Sequence, residues 1–343
     1  MNPVHAKYGQ FALVREMLET ADVIANFDMS RTRHIAKMIS ETGRVFLTGE
    51  GSSRIFPAKN FIYRILKHGL PVTAATDGSF QAAEYNLKDW VVIGASNSGQ
   101  TKEIVALLRN LEKQGHQKRI GVTANPGTLI FDATNECILL SCGKENAVAA
   151  TKSVVEQALV YQSIFTHLIG CECAQDPSKA RDFAREVGGI AREIMETEYD
   201  AELIQKLAGS PMIYFAGRND GVAEELTLKT NEITRKKSDY LEGTYLLHGV
   251  EEVMNAGETC VLINPFPSEC QKIKELIEGR AGLNVIAIAH EETIFPTVRI
   301  PSRPGFDSYF QLMAGWNLLV HIGVQLGINL DKPVRARKIG NEF

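Results

Sequence analysis

The sequence has no apolar run of the roughly 18 residues that a membrane-spanning helix needs, so no span is expected. Its amino end, Met1-Asn2-Pro3-Val4-His5-Ala6-Lys7, lacks the apolar core of a signal peptide. Charge of one sign is not in excess. Lys and Arg number 37 against 41 Asp and Glu, leaving a net charge of -4. That balance argues against a nucleic-acid partner or an acidic membrane surface. The tight basic run Arg235-Lys236-Lys237 is short enough to read as a solvated face. Cysteines number six, and only Cys171 and Cys173 are close. Their Cys-x-Cys has no second half at zinc-site spacing, so free thiols and a cytoplasmic location are expected. No metal-ligand cluster is visible, and no metal or cofactor is expected.

What is present is enough chain for about two domains, with 44% hydrophobic and 23% charged residues among 343. The most informative stretch is Ala95-Ser96-Asn97-Ser98-Gly99-Gln100-Thr101. The apolar run Trp90-Val91-Val92-Ile93-Gly94 before it reads as a buried parallel strand. Lys102 to Leu108 after it reads as an amphipathic helix. The first amides of a helix lack intrahelical partners and carry the positive end of its dipole. Serine and threonine hydroxyls there add donors, so the stretch can cradle a phosphate or simply cap a helix.

The same pattern occurs earlier. Arg44-Val45-Phe46-Leu47-Thr48 reads as a strand, Gly49-Glu50-Gly51-Ser52-Ser53 as a turn, and a helical pattern follows through Leu66. Arg54 stands where a dinucleotide fingerprint would need its third glycine, so Ser52 and Ser53 suit a sugar or phosphate better. Further strands are expected at 71–76, 120–124 and 137–141, and a long helix from Glu145 toward Leu168. A leading helix is expected over residues 8 to about 30. Alternating strand and helix predicts a parallel sheet covered on both faces, with ligands at the carboxyl ends of its strands.

After linking helices over 178 to about 208, the scheme repeats. Strands are expected at 211–216, 260–264, 284–289 and 298–301, with helices at 222–235 and 307–326. The second half reads as a diverged copy, each copy with about five strands. Its first turn, Ala216-Gly217-Arg218-Asn219-Asp220, lacks the serines, so the phosphate site is assigned to the first half. The second half instead carries ionisable groups. Glu225, Lys229 and Glu232 stand at i, i+4 and i+7 on one helix face. That spacing suits either a surface ion-pair ladder or a catalytic set. His248 follows in a loop, and the tail Asp331 to Lys338 is polar and basic.

Together these signals resemble the sugar isomerase (SIS) family, and more closely its double-SIS branch, the isomerase module of glucosamine-6-phosphate synthase. Gly51-Ser52-Ser53 and Ser96-Asn97-Ser98-Gly99-Gln100-Thr101 match the family's two phosphosugar loops. Val148-Ala149-Ala150-Thr151-Lys152 matches a third loop with one substitution. Leu228-Lys229-Thr230-Asn231-Glu232, His248-Gly249, and Asp331-Lys332-Pro333 with Lys338 match the catalytic branch.

The resemblance implies an α/β fold of two tandem SIS subdomains, each a roughly five-stranded parallel sheet flanked by helices in a flavodoxin-like three-layer sandwich. The expected organisation is an N-terminal helix (1–32), a first subdomain with the phosphosugar loop (33–172), linking helices (173–205), a second subdomain with the catalytic groups (206–330), and a tail or lid (331–343). Substrate phosphate would be held by Ser52, Ser53, Ser96, Asn97, Ser98 and Thr101, with Val148 lining the sugar. The resemblance implies Glu232 as the base, His248 for ring opening, Lys229 as a charge partner, and Lys338 as an amine able to form a Schiff base. It implies a homodimer in which His248 reaches the neighbouring subunit's site. No glutaminase domain with its N-terminal cysteine is present, so glutamine-dependent synthesis is not expected. The expected reaction interconverts an amino-sugar and a ketose 6-phosphate, with glucosamine-6-phosphate deaminase as the named case. His248-Gly249-Val250 with Glu251 and Glu252 behind it departs from the synthase's His-Gly-Pro and keeps fructosamine-6-phosphate deglycases in play. A plain aldose–ketose isomerase and a non-catalytic phosphosugar sensor complete the alternatives. No helix-turn-helix with a basic face accompanies the chain, as a regulator would need.

Overall fold

A computed structural model describes residues 1–171, 177–337 and 341. Two parallel five-stranded sheets organise it. The first contains β1 (Arg44–Gly49), β2 (Thr73–Asp77), β3 (Val91–Ala95), β4 (Arg119–Thr123) and β5 (Glu136–Leu139), in the spatial order β2-β1-β3-β4-β5. The second contains β6 (Met212–Gly217), β7 (Lys237–Glu242), β8 (Thr259–Ile263), β9 (Asn284–Ala289) and β10 (Thr297–Arg299), in the order β7-β6-β8-β9-β10. Numbered within each half, both orders are 2-1-3-4-5, the flavodoxin arrangement. The second half is therefore a topological copy of the first.

The strands form where β-branched and apolar residues run together, because both faces of a parallel sheet must be covered. In the first sheet Val45, Leu47, Val91 and Ile93 pack on one side with Phe61, Ile65, Tyr161 and Phe165. Their neighbours Phe46 and Val92 point the other way, against Leu107 and Leu108. In the second sheet Tyr214, Ala216, Cys260, Leu262 and Val285 share one core. The helix Asp307–Gln325 is buried along most of its length. A Cβ at Gly315 would stand 2.4 Å from Leu226 Cδ2. Glycine is thus what lets this helix approach the helix Val222–Thr234. Among the described residues no helix is long and apolar enough to cross a membrane.

Contacts divide the chain into two compact units. One comprises Met1–Leu18, Asn146–Ala149 and Gly189–Val334; the other comprises the described residues of Glu19–Glu145, Ala150–Gly188 and Arg335–Phe343. The first eighteen residues thus cluster with the second sheet. Asp331 explains part of this, since its carboxylate accepts hydrogen bonds from the Ala12 and Leu13 amides, both at 2.8 Å. It supplies the cap that the helix Ala12–Ala25 needs at its amino end.

Four expectations are corrected. The leading helix over residues 8 to 30 is instead a short turn Ala6–Gly9, the helix Ala12–Ala25 and a 3-10 turn Met29–Thr32, which Asp28 caps through Ser30 N at 2.9 Å. The long helix starts at Lys152, not Glu145. Residues 145–151 form a loop because the buried Glu145 carboxylate takes the Thr151 amide at 2.8 Å, satisfying the helix start from outside. The second sheet's fifth strand, β7, was not foreseen. Its Lys-Ser-Asp-Tyr-Leu-Glu sequence is that of an edge strand, with only Leu241 buried. Finally, Cys171 is disulfide-bonded, whereas Cys137, Cys142, Cys260 and Cys270 are free. The free-thiol expectation rested on an assumed compartment rather than on geometry. Burial pushes the Cys137 and Cys260 thiols up to about 12, which leaves them little thiolate at neutral pH.

Candidate active site

In a 2-1-3-4-5 sheet the strand order reverses between the first and third strands, and a crevice opens at their carboxyl ends. In the first sheet those strands are β1 and β3, paired directly from Val45 opposite Val91 to Gly49 opposite Ala95. The two serine-bearing loops leave the sheet at that edge, side by side.

The loop after β3 is built from its own hydroxyls. Ser96 Oγ lies 2.7 Å from Thr101 Oγ1 and 3.3 Å from Ser98 Oγ. It also accepts the Gly99 amide at 3.0 Å, and Ser98 Oγ accepts the Gln100 amide at 3.2 Å. The Asn97 carbonyl is held from the neighbouring strand end by Ala124 N at 3.2 Å, Thr123 Oγ1 at 3.1 Å and Asn125 Nδ2 at 2.7 Å. Its side-chain amide donates to Glu145 Oε2 at 3.1 Å, and Glu145 also takes Ser153 Oγ at 2.6 Å. Thr101 occupies the cap position of the helix Lys102–Lys113, yet its side chain makes no capping bond. Three hydroxyls at a helix start, with none spent on capping, is the donor arrangement an anion needs. At the same helix start Asn341 O accepts from Lys102 N at 3.3 Å, and Asn341 Nδ2 donates to Glu103 Oε1 at 2.6 Å.

Gly99 is required at its position twice over. Its φ is +69°, and an added Cβ would stand 1.9 Å from Thr128 Oγ1. Gly99→Ala is expected to cost about 1–3 kcal/mol of loop strain. It should weaken sugar-phosphate binding by about tenfold in calorimetry; unchanged affinity would remove this loop from the phosphate role. The loop after β1 places Ser52 and Ser53 in a short 3-10 turn. Gln157 Nε2 fixes it by donating to the Ser53 carbonyl at 2.6 Å.

The other unit holds the ionisable groups. Glu225, Lys229 and Glu232 lie along one face of the helix Val222–Thr234. Lys229 is fully buried, an unusual place for an ammonium. Its Nζ sits 2.7 Å from Glu232 Oε2 and 3.4 Å from Glu225 Oε1. Glu225 is buried as well, whereas the Glu232 side chain keeps 24% of its surface exposed. A solvated ladder would leave all three in water. Here the lysine and one carboxylate are inside, and Glu232 is the partly exposed member of the set.

Val148 is half-buried in the loop before the long helix. In that loop Glu16 accepts the amides of Asn146 and of Ala147, the latter at 3.2 Å. His248 ends a 3-10 turn, is exposed, and makes no side-chain hydrogen bond among the described residues. Gly249 follows with φ +93°, and its amide donates to Glu251 Oε2 at 2.8 Å. Lys338 lies outside the described residues.

Glu145, Glu16 and Gln157 escaped the sequence reading. Each acts by holding a loop that carries a recognised residue. The signal available was weak: an acidic residue just ahead of a hydroxyl-rich helix start, as with Glu145 and Thr151.

Residues 38–167 match the SIS domain. The isomerizing glutamine–fructose-6-phosphate aminotransferase of Methanocaldococcus jannaschii is 26% identical over 345 residues, covering 94% of this chain. The chain spans 30% of that protein's length. Among solved structures, glucosamine-6-phosphate deaminase from Thermotoga maritima matches with a TM-score of 0.72 at 18% identity, over 97% of this chain and 99% of that one. Tagatose-6-phosphate ketose/aldose isomerase from Escherichia coli matches with a TM-score of 0.75 at 18% identity, over 96% and 98%. The chain shares the fold of these two structures.

Proposed function

We propose that the protein acts at C1 and C2 of an amino-sugar or ketose 6-phosphate, as a phosphosugar deaminase or isomerase. The observation that carries this reading is the Glu225–Lys229–Glu232 face. Phosphate binding alone has no use for a fully buried lysine between two carboxylates, one of them open. With glucosamine 6-phosphate, ring opening exposes the C1 aldehyde, and His248 suits that proton movement. Glu232 removes the proton on C2, giving an enamine, and returns a proton to C1. The C2 imine that results is hydrolysed by water to the ketone and ammonia. Lys229 balances the charge that develops on oxygen. Ser52, Ser53, Ser96, Asn97, Ser98 and Thr101 bind the phosphate, and Val148 lines the sugar. Lys338 is the candidate amine for holding the ketose as a Schiff base.

Incubation with a panel of amino-sugar 6-phosphates, fructosamine 6-phosphates and ketose 6-phosphates, reading ammonia and sugar-phosphate release, tests the proposal. Turnover of glucosamine 6-phosphate to fructose 6-phosphate and ammonia is expected. Turnover of no member would leave a non-catalytic phosphosugar sensor. Release of an amino acid from fructosamine phosphates alone would make the protein a deglycase.

His248, exposed and without a side-chain hydrogen bond among the described residues, fits a homodimer in which it serves the neighbouring subunit. Mixing Glu232→Gln and His248→Ala proteins should then restore part of the activity that each lacks. No recovery after subunit exchange would place His248 in its own chain's site.

A further inference from the structure

The carboxyl edge of the first sheet carries a charge that a phosphate site alone does not need. Glu50 is the first residue beyond β1. Thr48 lies opposite Asp77, and Gly49 opposite Ala95. Continuing this register sets Glu50 between Ser79 on one side and Ser96, the first residue of the phosphate loop, on the other. Its carboxylate is fixed toward the β2 side. Oε1 accepts the Ser79 amide at 2.9 Å, and Oε2 lies 3.6 Å from where a Gly78 Cβ would stand. The residue is nonetheless exposed. The neighbouring carboxylate, Asp77, is engaged at both oxygens, by Gly78 N at 2.9 Å and by the Tyr85 hydroxyl at 2.7 Å.

Holding the Ser79 amide requires only a neutral acceptor, which a glutamine would provide. A full negative charge beside a cradle for a dianion opposes binding, unless the ligand brings a cation of its own. The spacing suits such a ligand. Two strand separations of about 4.8 Å each lie between the β2 and β3 edges, comparable to the length of a hexose phosphate. One ligand can therefore place its phosphate at Ser96–Thr101 and its other end near Glu50.

We propose that Glu50 is a specificity-determining residue that selects sugar phosphates bearing a protonated amine over those bearing only hydroxyls. This rests on the reading of Ser96–Thr101 as the phosphate site. It deepens that reading by naming the substrate class: amino-sugar phosphates or amine conjugates rather than plain aldoses and ketoses.

The test uses two unreactive open-chain probes, 2-amino-2-deoxyglucitol 6-phosphate and glucitol 6-phosphate, titrated by calorimetry at pH 7. Wild-type protein should bind the amino probe at least tenfold more tightly. Glu50→Gln keeps the acceptor for Ser79 N and removes the charge. It should weaken the amino probe about tenfold and tighten the hydroxyl probe about threefold, and the opposite signs identify a charge effect. Shifts of equal sign, or none, overturn the proposal. If Glu50→Gln does not fold, the wild-type preference decides: equal affinity, or a preference for the hydroxyl probe, overturns it. Wild-type protein that binds neither probe overturns the phosphate reading itself, a result distinguishable from loss of selectivity alone.

Discussion

Glu232→Gln is expected to lower kcat by about 10²–10⁴ while leaving sugar-phosphate affinity within a factor of a few. The amide occupies nearly the same volume and can still accept from Lys229 Nζ, which lies 2.7 Å from Glu232 Oε2. What it loses is the ability to carry a proton between C2 and C1. Because the phosphate donors are on other elements, binding should survive. The readout is therefore a split between kcat and Kd, together with loss of exchange of the C2 proton with solvent. Wild-type rates in Glu232→Gln would sink the assignment of the base. An equal fall in kcat and in affinity would point to a structural role instead.

Lys229→Met should be the most destabilising single change on that helix. Both Lys229 and Glu225 are fully buried. Removing the ammonium takes from the buried Glu225 carboxylate its countercharge 3.4 Å away, and breaking such a buried pair costs about 3–5 kcal/mol. The measurement is urea unfolding followed by far-ultraviolet dichroism. The double variant Lys229→Met with Glu225→Gln should recover most of the loss, since it removes both charges of that pair. Stability of Lys229→Met equal to wild type would mean that water reaches Glu225. The double variant should remain inactive although it folds, which separates Lys229's part in the reaction from its part in stability.

Much of the fold could be read in advance because apolar runs bounded by glycine turns are local. β1, β3, β4, β6, β8 and β9 are such runs, and all have both faces covered. β7 could not be read, since an edge strand with polar residues at most positions owes its pairing to β6 alone. Over residues 145–151 the alanines favour helix, but two carboxylates, the segment's own Glu145 and the distant Glu16, hold the backbone as a loop. Glu145 takes the amide of Thr151, and Glu16 takes those of Asn146 and Ala147. Asp331 looked like part of a catalytic tail motif, yet its carboxylate caps a helix three hundred residues away in the chain.

The sequence by itself determined which residues could do chemistry. Serines, a glycine and a threonine at a strand-to-helix turn, and Glu225, Lys229 and Glu232 at helical spacing, are periodic and local features. Tertiary structure decided what those residues are. It buried Lys229 and Glu225 while leaving Glu232 partly open, which turned an ordinary ladder into an asymmetric set. It placed β1 beside β3 at the reversal of strand order, which brought two serine loops separated by more than forty residues to one edge. It also stood Glu50 at that edge. Burial and strand order depend on contacts between distant segments, and no local pattern encodes them.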